Sequence, residues 1–381
     1  MRIILATPIY PPEIGGPATY TKELATRLSK TEKVTVVAYA DQGEPVEGVN
    51  LILVSKSQNL FARLTQFFFT LVREAKNADI IYVQNAVAAG LPAVLAGALV
   101  KKPVVLKFVG DEAWERATQT GKTVKNLEDF LTAPEGGFKT SIFIAIQKFV
   151  LARVSAVVPP SAFLGNILKK YYGIEESKLT VNYNAFEGTV VSRMAAKKPH
   201  QILSVSRLTA WKHIDGIINA LKIIKNSYPS AVLVVAGEGP EEANLKNLAA
   251  QMGLQNSITF TGRVSREQVN ELMSESGVSV LNSTYEGLPH IALENFALGV
   301  PLIATDIPGT REAVIDKQTG LLVPPGDDAT LAVAIDRVFQ DEALRERLVA
   351  GGRELLKSKF SWEGHLQTLL AVFASLNHNK N

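Results

Sequence analysis

The run Y-E-G-L-P-H-I-A-L-E, Tyr285 to Glu294, places two carboxylates eight positions apart across a Gly-x-Pro turn that opens a helix. A helix start leaves backbone N–H groups without intrahelical partners, and those beside Leu288, Pro289, His290 and Ile291 form a ready site for a phosphate. Glu286 lies just outside that start and suits sugar hydroxyls; Glu294, two turns in, suits a ribose diol, because a carboxylate has two acceptor oxygens and no donor. The bland reading has Glu286 capping the helix and Glu294 solvated. Upstream, V-S-R-L-T-A-W-K-H sets Arg207 and Lys212 on a strand-to-helix loop, where two cations can neutralise a diphosphate and stabilise it as it leaves. Two charges on a solvated loop are the bland alternative there. In P-E-I-G-G-P, Gly15 and Gly16 let backbone approach a ligand at another helix start, or simply make a turn.

These residues need a frame, and the sequence supplies one twice. In the first half short apolar runs such as Arg2–Thr7, Val34–Tyr39, Ile80–Gln84 and Val104–Phe108 alternate with helical patterns such as Thr19–Leu28 and Phe61–Asn77. A second alternation begins at Ile202–Val205 and continues through Ala231–Ala236, Val278–Leu281, Ile291–Leu298 and Leu302–Thr305. Such alternation predicts parallel sheets covered by helices on both faces, so the fold class is α/β with two Rossmann-like, doubly wound domains. A chain of 381 residues exceeds what one core organises. The expected division is residues 1–187, a linker at 188–200, a second domain at 201–359, and a terminal helix at 360–381 crossing back to the first domain. Ligands of open α/β sheets bind at the carboxyl ends of the strands, so a cleft between the two domains is the expected site.

Composition narrows the chemistry. With no cysteine, thiolate nucleophiles, disulfides and thiolate metal sites are excluded. Residues 1–198 hold 24 Lys/Arg against 17 Asp/Glu, and residues 199–381 hold 16 against 20. The basic half suits an anionic acceptor or an anionic membrane surface. The most apolar stretch, Ala86 to Val100, is too short to span a bilayer and contains Pro92, so it reads as a buried helix. Phe61–Lys76 and Phe138–Arg153 mix aromatic residues with Arg63, Arg73, Lys76, Lys139, Lys148 and Arg153; both read as core helices, with membrane contact as the alternative. The N-terminus has no signal-peptide pattern, which predicts a cytoplasmic protein, peripheral at the inner membrane face if it touches lipid.

Arg207 and Lys212, then G-E-G-P at Gly237–Pro240, F-T-G-R-V at Phe260–Val264, the Glu286/Glu294 pair and G-L-L-V-P-P-G-D at Gly320–Asp327 together resemble the donor half of family 4 glycosyltransferases, the glycosyl transferases of group 1. The Gly-Gly loop and V-G-D-E-A-W-E-R at Val109–Arg116 are the similar pieces of the first half. The resemblance implies a GT-B fold and a retaining enzyme that moves a sugar from a nucleotide diphosphate donor to a saccharide or lipid-linked acceptor in bacterial-type cell-surface polysaccharide or glycolipid synthesis. It also implies that Arg207 and Lys212 bind the diphosphate, Glu286 holds the transferred sugar and Glu294 the ribose. The backbone of Gly262, Arg263 and Val264 would lie against the base, with Gly16 approaching the phosphates.

One departure bears on mechanism. Many members of that family carry a histidine before Gly-Asp in the first domain, whereas Val109 stands here, and all five histidines fall at or after His200. An inverting transferase needs a positioned general base, and Asp111 is the remaining candidate, in a catalytic or orienting role or as a helix cap. No Asp-x-Asp pair is present to chelate a metal, so no metal and no cofactor are expected, and no nucleic-acid partner. Trp114–Gly137 reads as a mobile insertion. The competing readings are a nucleotide-sugar isomerase or epimerase, a phosphorylase of the same fold, or a non-catalytic nucleotide-sugar binder.

Overall fold

Runs such as R-I-I-L-A-T and I-I-Y-V-Q are too short and too β-branched for helices, and they form the central strands of a sheet buried on both faces. The computed structural model describes residues 1–13, 15–187 and 197–378. Its contacts divide the chain into one unit of Met1–Asn182 with Leu366–Asn381 and a second of Tyr183–His365. Most of the expected linker, residues 188–196, lies outside the described residues, and Lys198–His200 are already strand.

The first unit runs β1 (Arg2–Thr7), α1 (Gly16–Leu28), β2 (Lys33–Tyr39), β3 (Val49–Val54), α2 (Leu60–Ala75), β4 (Ile80–Gln84) and α3 (Gly90–Val100). It continues through β5 (Val104–Lys107), α4 (Glu112–Gln119), α5 (Leu127–Thr132), α6 (Gly137–Arg153), β6 (Ala156–Val158) and α7 (Ala162–Tyr172). The second unit opens with β7 (Lys198–Val205), α8 (Ile214–Ile224), β8 (Val232–Ala236), α9 (Glu242–Gln251), β9 (Ile258–Gly262), α10 (Arg266–Glu275) and β10 (Ser276–Leu281). Then come α11 (His290–Leu298), β11 (Leu302–Thr305), α12 (Pro308–Arg311), β12 (Leu321–Val323), α13 (Asp328–Gln340), α14 (Glu342–Lys359) and α15 (Trp362–His378). The sheets are six-stranded, ordered β3-β2-β1-β4-β5-β6 and β12-β11-β10-β7-β8-β9. Every strand pairing within them is parallel, so each unit is doubly wound, as the alternation predicts.

Three expectations change. Trp114–Gly137 is packed rather than a loose insertion: Trp114, Leu127 and Phe130 are buried, and the Trp114 indole N–H donates to the Lys125 carbonyl at 2.9 Å. The apolar helix α3 is not wholly buried, since Leu95 and Leu99 face outward. Phe61 on α2 and Phe138 on α6 are 80% and 82% exposed, so those helices present aromatic residues to solvent instead of burying them all. β3 and α7 escape the periodicity because V-N-L-I-L-V is short and A-F-L-G-N-I-L-K-K-Y-Y is interrupted by Gly165; α7 is nevertheless delimited by an N-cap at Ser161 and by Gly173 at φ 65°.

The first core also holds a charge-bearing group. Lys107, at the end of β5, is 2% exposed and lies 4.1 Å over the Tyr20 ring, and its amine has no hydrogen-bond partner among the described residues. Desolvation pushes its pKa down to about 7.

Candidate functional site

In the second sheet β7 and β10 are neighbours, yet β8 and β9 continue on one side and β11 and β12 on the other. Connections therefore leave the carboxyl ends of β7 and β10 in opposite directions, which opens a crevice at that switch point. Arg207 and Lys212 follow β7, and Glu286 follows β10. The two loops are stapled together: the Asn282 amide donates to the His213 carbonyl at 2.9 Å, and Thr284 N–H donates to the Trp211 carbonyl at 2.8 Å. His213 sits at φ 45°, turning the chain from the Ala210–Lys212 helical turn into α8.

This stapling brings Lys212 Nζ to 2.5 Å from Glu286 Oε1, with the side chains 17% and 12% exposed. Lys212 is thus a largely buried cation on a carboxylate rather than a solvated loop charge. Arg207 is exposed and makes no ion pair among the described residues. Glu286 does not cap α11: Pro289 is the N-cap, no side chain caps the helix, and its first turn holds no acidic residue. The helix start at His290 and Ile291, with Leu288 and Pro289 buried behind it, therefore carries no side-chain cap and no acidic residue, and its dipole favours an anion. Glycine at 309 is what lets the Glu286 turn settle, since a Cβ there would fall 1.8 Å from the Glu286 carbonyl oxygen.

Glu294 is not solvated either. Its side chain is 12% exposed and lies 3.1 Å from Arg266 Nη2. Burial raises its pKa, and the neighbouring guanidinium opposes that shift. Gly262, at φ 67°, closes β9 and accepts a hydrogen bond from Gly237 N–H at 3.0 Å; Arg263 lies 3.8 Å from Glu238, and Val264 is half-buried. The Gly237 turn in turn packs on the Arg207 loop, a Cβ at Gly237 meeting the Ser206 carbonyl oxygen at 1.9 Å. The loops after β7, β8, β9 and β10 thus form one connected rim.

The first unit answers differently. A Cβ on Gly16 would meet nothing within 4 Å and one on Gly15 only the tip of Ile9, and α1 starts at Gly16 with no side-chain cap. The protein's own packing makes no demand for glycine at 16. Of the readings open for Asp111, the structure displays the helix cap. The residue is 0% exposed, it caps α4 by accepting from Trp114 N–H at 2.9 Å, and its other oxygen accepts from the Gln147 amide at 2.7 Å and from the Tyr172 hydroxyl. Asp111→Ala is expected to lower stability by about 2–4 kcal/mol through the lost cap and the stranded Gln147 and Tyr172 groups, with nucleotide affinity unchanged; chemical denaturation and ligand titration check both. Late in the sequence though it is, His378 belongs to the first unit through α15, and its side chain is outside the described residues.

Several residues escaped the sequence reading. Arg266 follows a visible S-x-x-Q capping box, Ser265 to Gln268, but nothing in that pattern links it to Glu294. Ser206, Thr209 and Ser283 carry buried hydroxyls with no hydrogen-bond partner among the described residues, and all three border the Arg207 and Glu286 loops. Among the described residues no group of three or more His, Cys, Asp or Glu could hold a metal ion, and no helix is long and apolar enough to cross a membrane.

Known proteins share these patterns. The family described as Glycosyl transferases group 1 matches residues 191–355, and that described as Glycosyltransferase Family 4 matches residues 14–187. A glycogen synthase of Mycobacterium tuberculosis is 29% identical over 222 residues, 58% of this chain and 54% of that protein. A lipopolysaccharide core biosynthesis glycosyltransferase of Rhizobium meliloti, LpsD, is 34% identical over 172 residues, 45% of this chain and 48% of that protein. The chain thus spans about half the length of the curated relatives it matches. In fold it is similar to Anabaena HepE, solved in complex with UDP and glucose, with a TM-score of 0.77, 19% identity, and coverage of 98% of this chain and 100% of that one.

Proposed function

Because the chain belongs to the glycosyltransferases, its two halves carrying the family 4 and group 1 patterns, we propose that it is a retaining, metal-independent transferase that uses a nucleotide diphosphate-sugar donor held by its second unit. The observation that carries this reading is the Lys212–Glu286 pair at the switch point, beside the uncapped start of α11. Arg207, Lys212 and the α11 N–H groups compensate the diphosphate as its charge grows on leaving. Glu286 takes hydroxyls of the transferred sugar, and Glu294 takes the ribose diol. Gly262, Arg263 and Val264 border the base, and in the first unit the open backbone at Gly15 and Gly16 is offered to a ligand.

What supports the reading of retention is which groups can move a proton. Asp111 is sealed in the fold, and Val109 presents an exposed apolar side chain that can take no proton. The acceptor hydroxyl then gives its proton to the departing phosphate oxygen while its own oxygen bonds to the anomeric carbon on the same face. Atoms and charge balance without a protein base. Two experiments test the reading: a panel of nucleotides and nucleotide sugars screened by thermal shift with EDTA present, and product anomer analysis by NMR. No ligand-induced rise in midpoint defeats the donor assignment, and an inverted anomer defeats retention.

The acceptor is proposed to be a saccharide or a lipid-linked saccharide, as in cell-surface polysaccharide or glycolipid synthesis. A lipid-linked substrate suits the first unit, where α2 and α3 form a surface groove lined by Phe68, Leu95, Ala98 and Leu99. Exposed Phe61, Phe69, Arg73, Lys76 and Lys101 lie on the same two helices and their ends. Apolar side chains among cations fit an anionic bilayer, whereas two copies of this basic face repel each other. Co-sedimentation with phosphatidylglycerol vesicles is expected and with phosphatidylcholine vesicles is not; the paired change Phe69→Ser with Leu99→Ser abolishes it.

A further inference from the structure

Glu294 is a carboxylate that the fold makes hard to ionise. It is largely buried, and on its own helix the side chain one turn earlier on the same face is that of His290. What offsets the burial is one group from another element. Arg266 opens α10, and its position is fixed from two sides. The Ser265–Gln268 capping box sets the first turn, with Ser265 N–H donating to Gln268 Oε1 at 2.9 Å and Gln268 N–H donating to Ser265 Oγ at 3.3 Å. The guanidinium lies 5.3 Å over the ring of Phe186. So held, Arg266 engages Oε1 of Glu294 at 3.1 Å, and Oε2 makes no hydrogen bond among the described residues.

From this we infer that Arg266 is the positioning residue for ribose recognition: it holds the Glu294 carboxylate turned so that Oε2 is presented to the vicinal hydroxyls of the nucleoside. The inference rests on the reading of Glu294 as the ribose carboxylate. A neutral or freely rotating carboxyl is a poorer acceptor and binds nucleosides with and without the diol alike, so Arg266 sets discrimination without touching the sugar. Three properties suit it to the task. It arrives from a different helix, so it fixes a direction; its planar fork matches a carboxylate; and stacking on Phe186 limits its rotamers.

The test titrates UDP, ADP and GDP, each beside its 2′,3′-dideoxy form, against the full chain and three variants. The native protein is expected to prefer the ribose form of its nucleotide by at least about tenfold, since a hydrogen bond to a charged group is worth about that factor or more. Arg266→Ala is expected to reduce the preference to less than about threefold while affinity for the dideoxy form, which a damaged fold would lose, stays within about twofold. Arg266→Lys restores part of the preference because the charge returns without the fork. Glu294→Gln separates the two levels of the argument. If it leaves the preference intact, the ribose assignment of Glu294 fails and the role of Arg266 falls with it. If it removes the preference while Arg266→Ala does not, the ribose assignment stands and the inference about Arg266 is overturned. Equal weakening of both nucleotide forms in Arg266→Ala also overturns it, because Arg266 would then contact the base or phosphates directly.

Discussion

Replacing Lys212 by alanine is expected to lower kcat/KM for sugar transfer by about 10²- to 10³-fold, the scale of removing one preorganised charge stabiliser from a transition state. Two losses coincide. The leaving diphosphate loses a cation, and Glu286, 12% exposed, is left as a largely buried carboxylate without its partner. Glu286→Gln is expected to behave differently, abolishing most transfer while nucleoside diphosphate affinity changes by less than about threefold, because the role proposed for Glu286 is toward the sugar. The two residues touch, so their effects do not add: the double variant should be little worse than the weaker single variant. Steady-state kinetics on the four proteins, with nucleoside diphosphate titrations beside them, check this. Full additivity would show that the pair does not act as a unit, and an unchanged kcat/KM in Lys212→Ala would remove Lys212 from the site.

Lys107→Met is expected to stabilise the protein markedly at neutral and acidic pH. The native amine pKa of about 7, against 10.5 for the free side chain, means that the unfolded chain binds a proton the folded chain resists. Stability from this group therefore rises with pH between about 7 and 10.5, and below that window a constant penalty remains. The penalty is on the order of 4 kcal/mol at pH 7, close to 2 kcal/mol at pH 9, and vanishes near pH 10.5. Methionine fills similar volume against the Tyr20 ring without the buried amine. At roughly 2–4 °C per kcal/mol, the melting transition of the first unit should rise on the order of 10 °C at pH 7, with the gain shrinking at pH 9. A gain independent of pH would show that Lys107 is not titrating, and a loss would show that its amine is satisfied.

Local pattern made part of this protein legible. Short β-branched runs alternating with amphipathic segments imply parallel strands and covering helices whatever their neighbours, because the periods 2 and 3.6 are properties of the backbone. The Gly-x-Pro turn that opens α11 and the S-x-x-Q start of α10 are equally local, so the positions of Glu286, Glu294 and Arg266 along their elements follow from sequence. The charges of the loops after β7 and β10 are legible in the same way.

What only the tertiary structure decided is which charge meets which, and which charges meet water. Lys212 is 74 residues from Glu286, and the two are neighbours only because β7 and β10 are adjacent and the Asn282 and Thr284 bonds staple their loops. Asp111 reads as a candidate base until Gln147 and Tyr172, 36 and 61 residues away, close around it. Phe61 and Phe138 carry the same apolar signal as core residues, yet they point outward. Lys107 ends a strand in the ordinary way for a solvated residue, and Tyr20 of α1 buries it. The sequence by itself determined most of the strands and helices, because propensity and capping act within a few residues, and its motifs named the candidate site residues. Burial and pairing are set by surfaces that meet only when the sheet is assembled, and they settled what each of those residues can do.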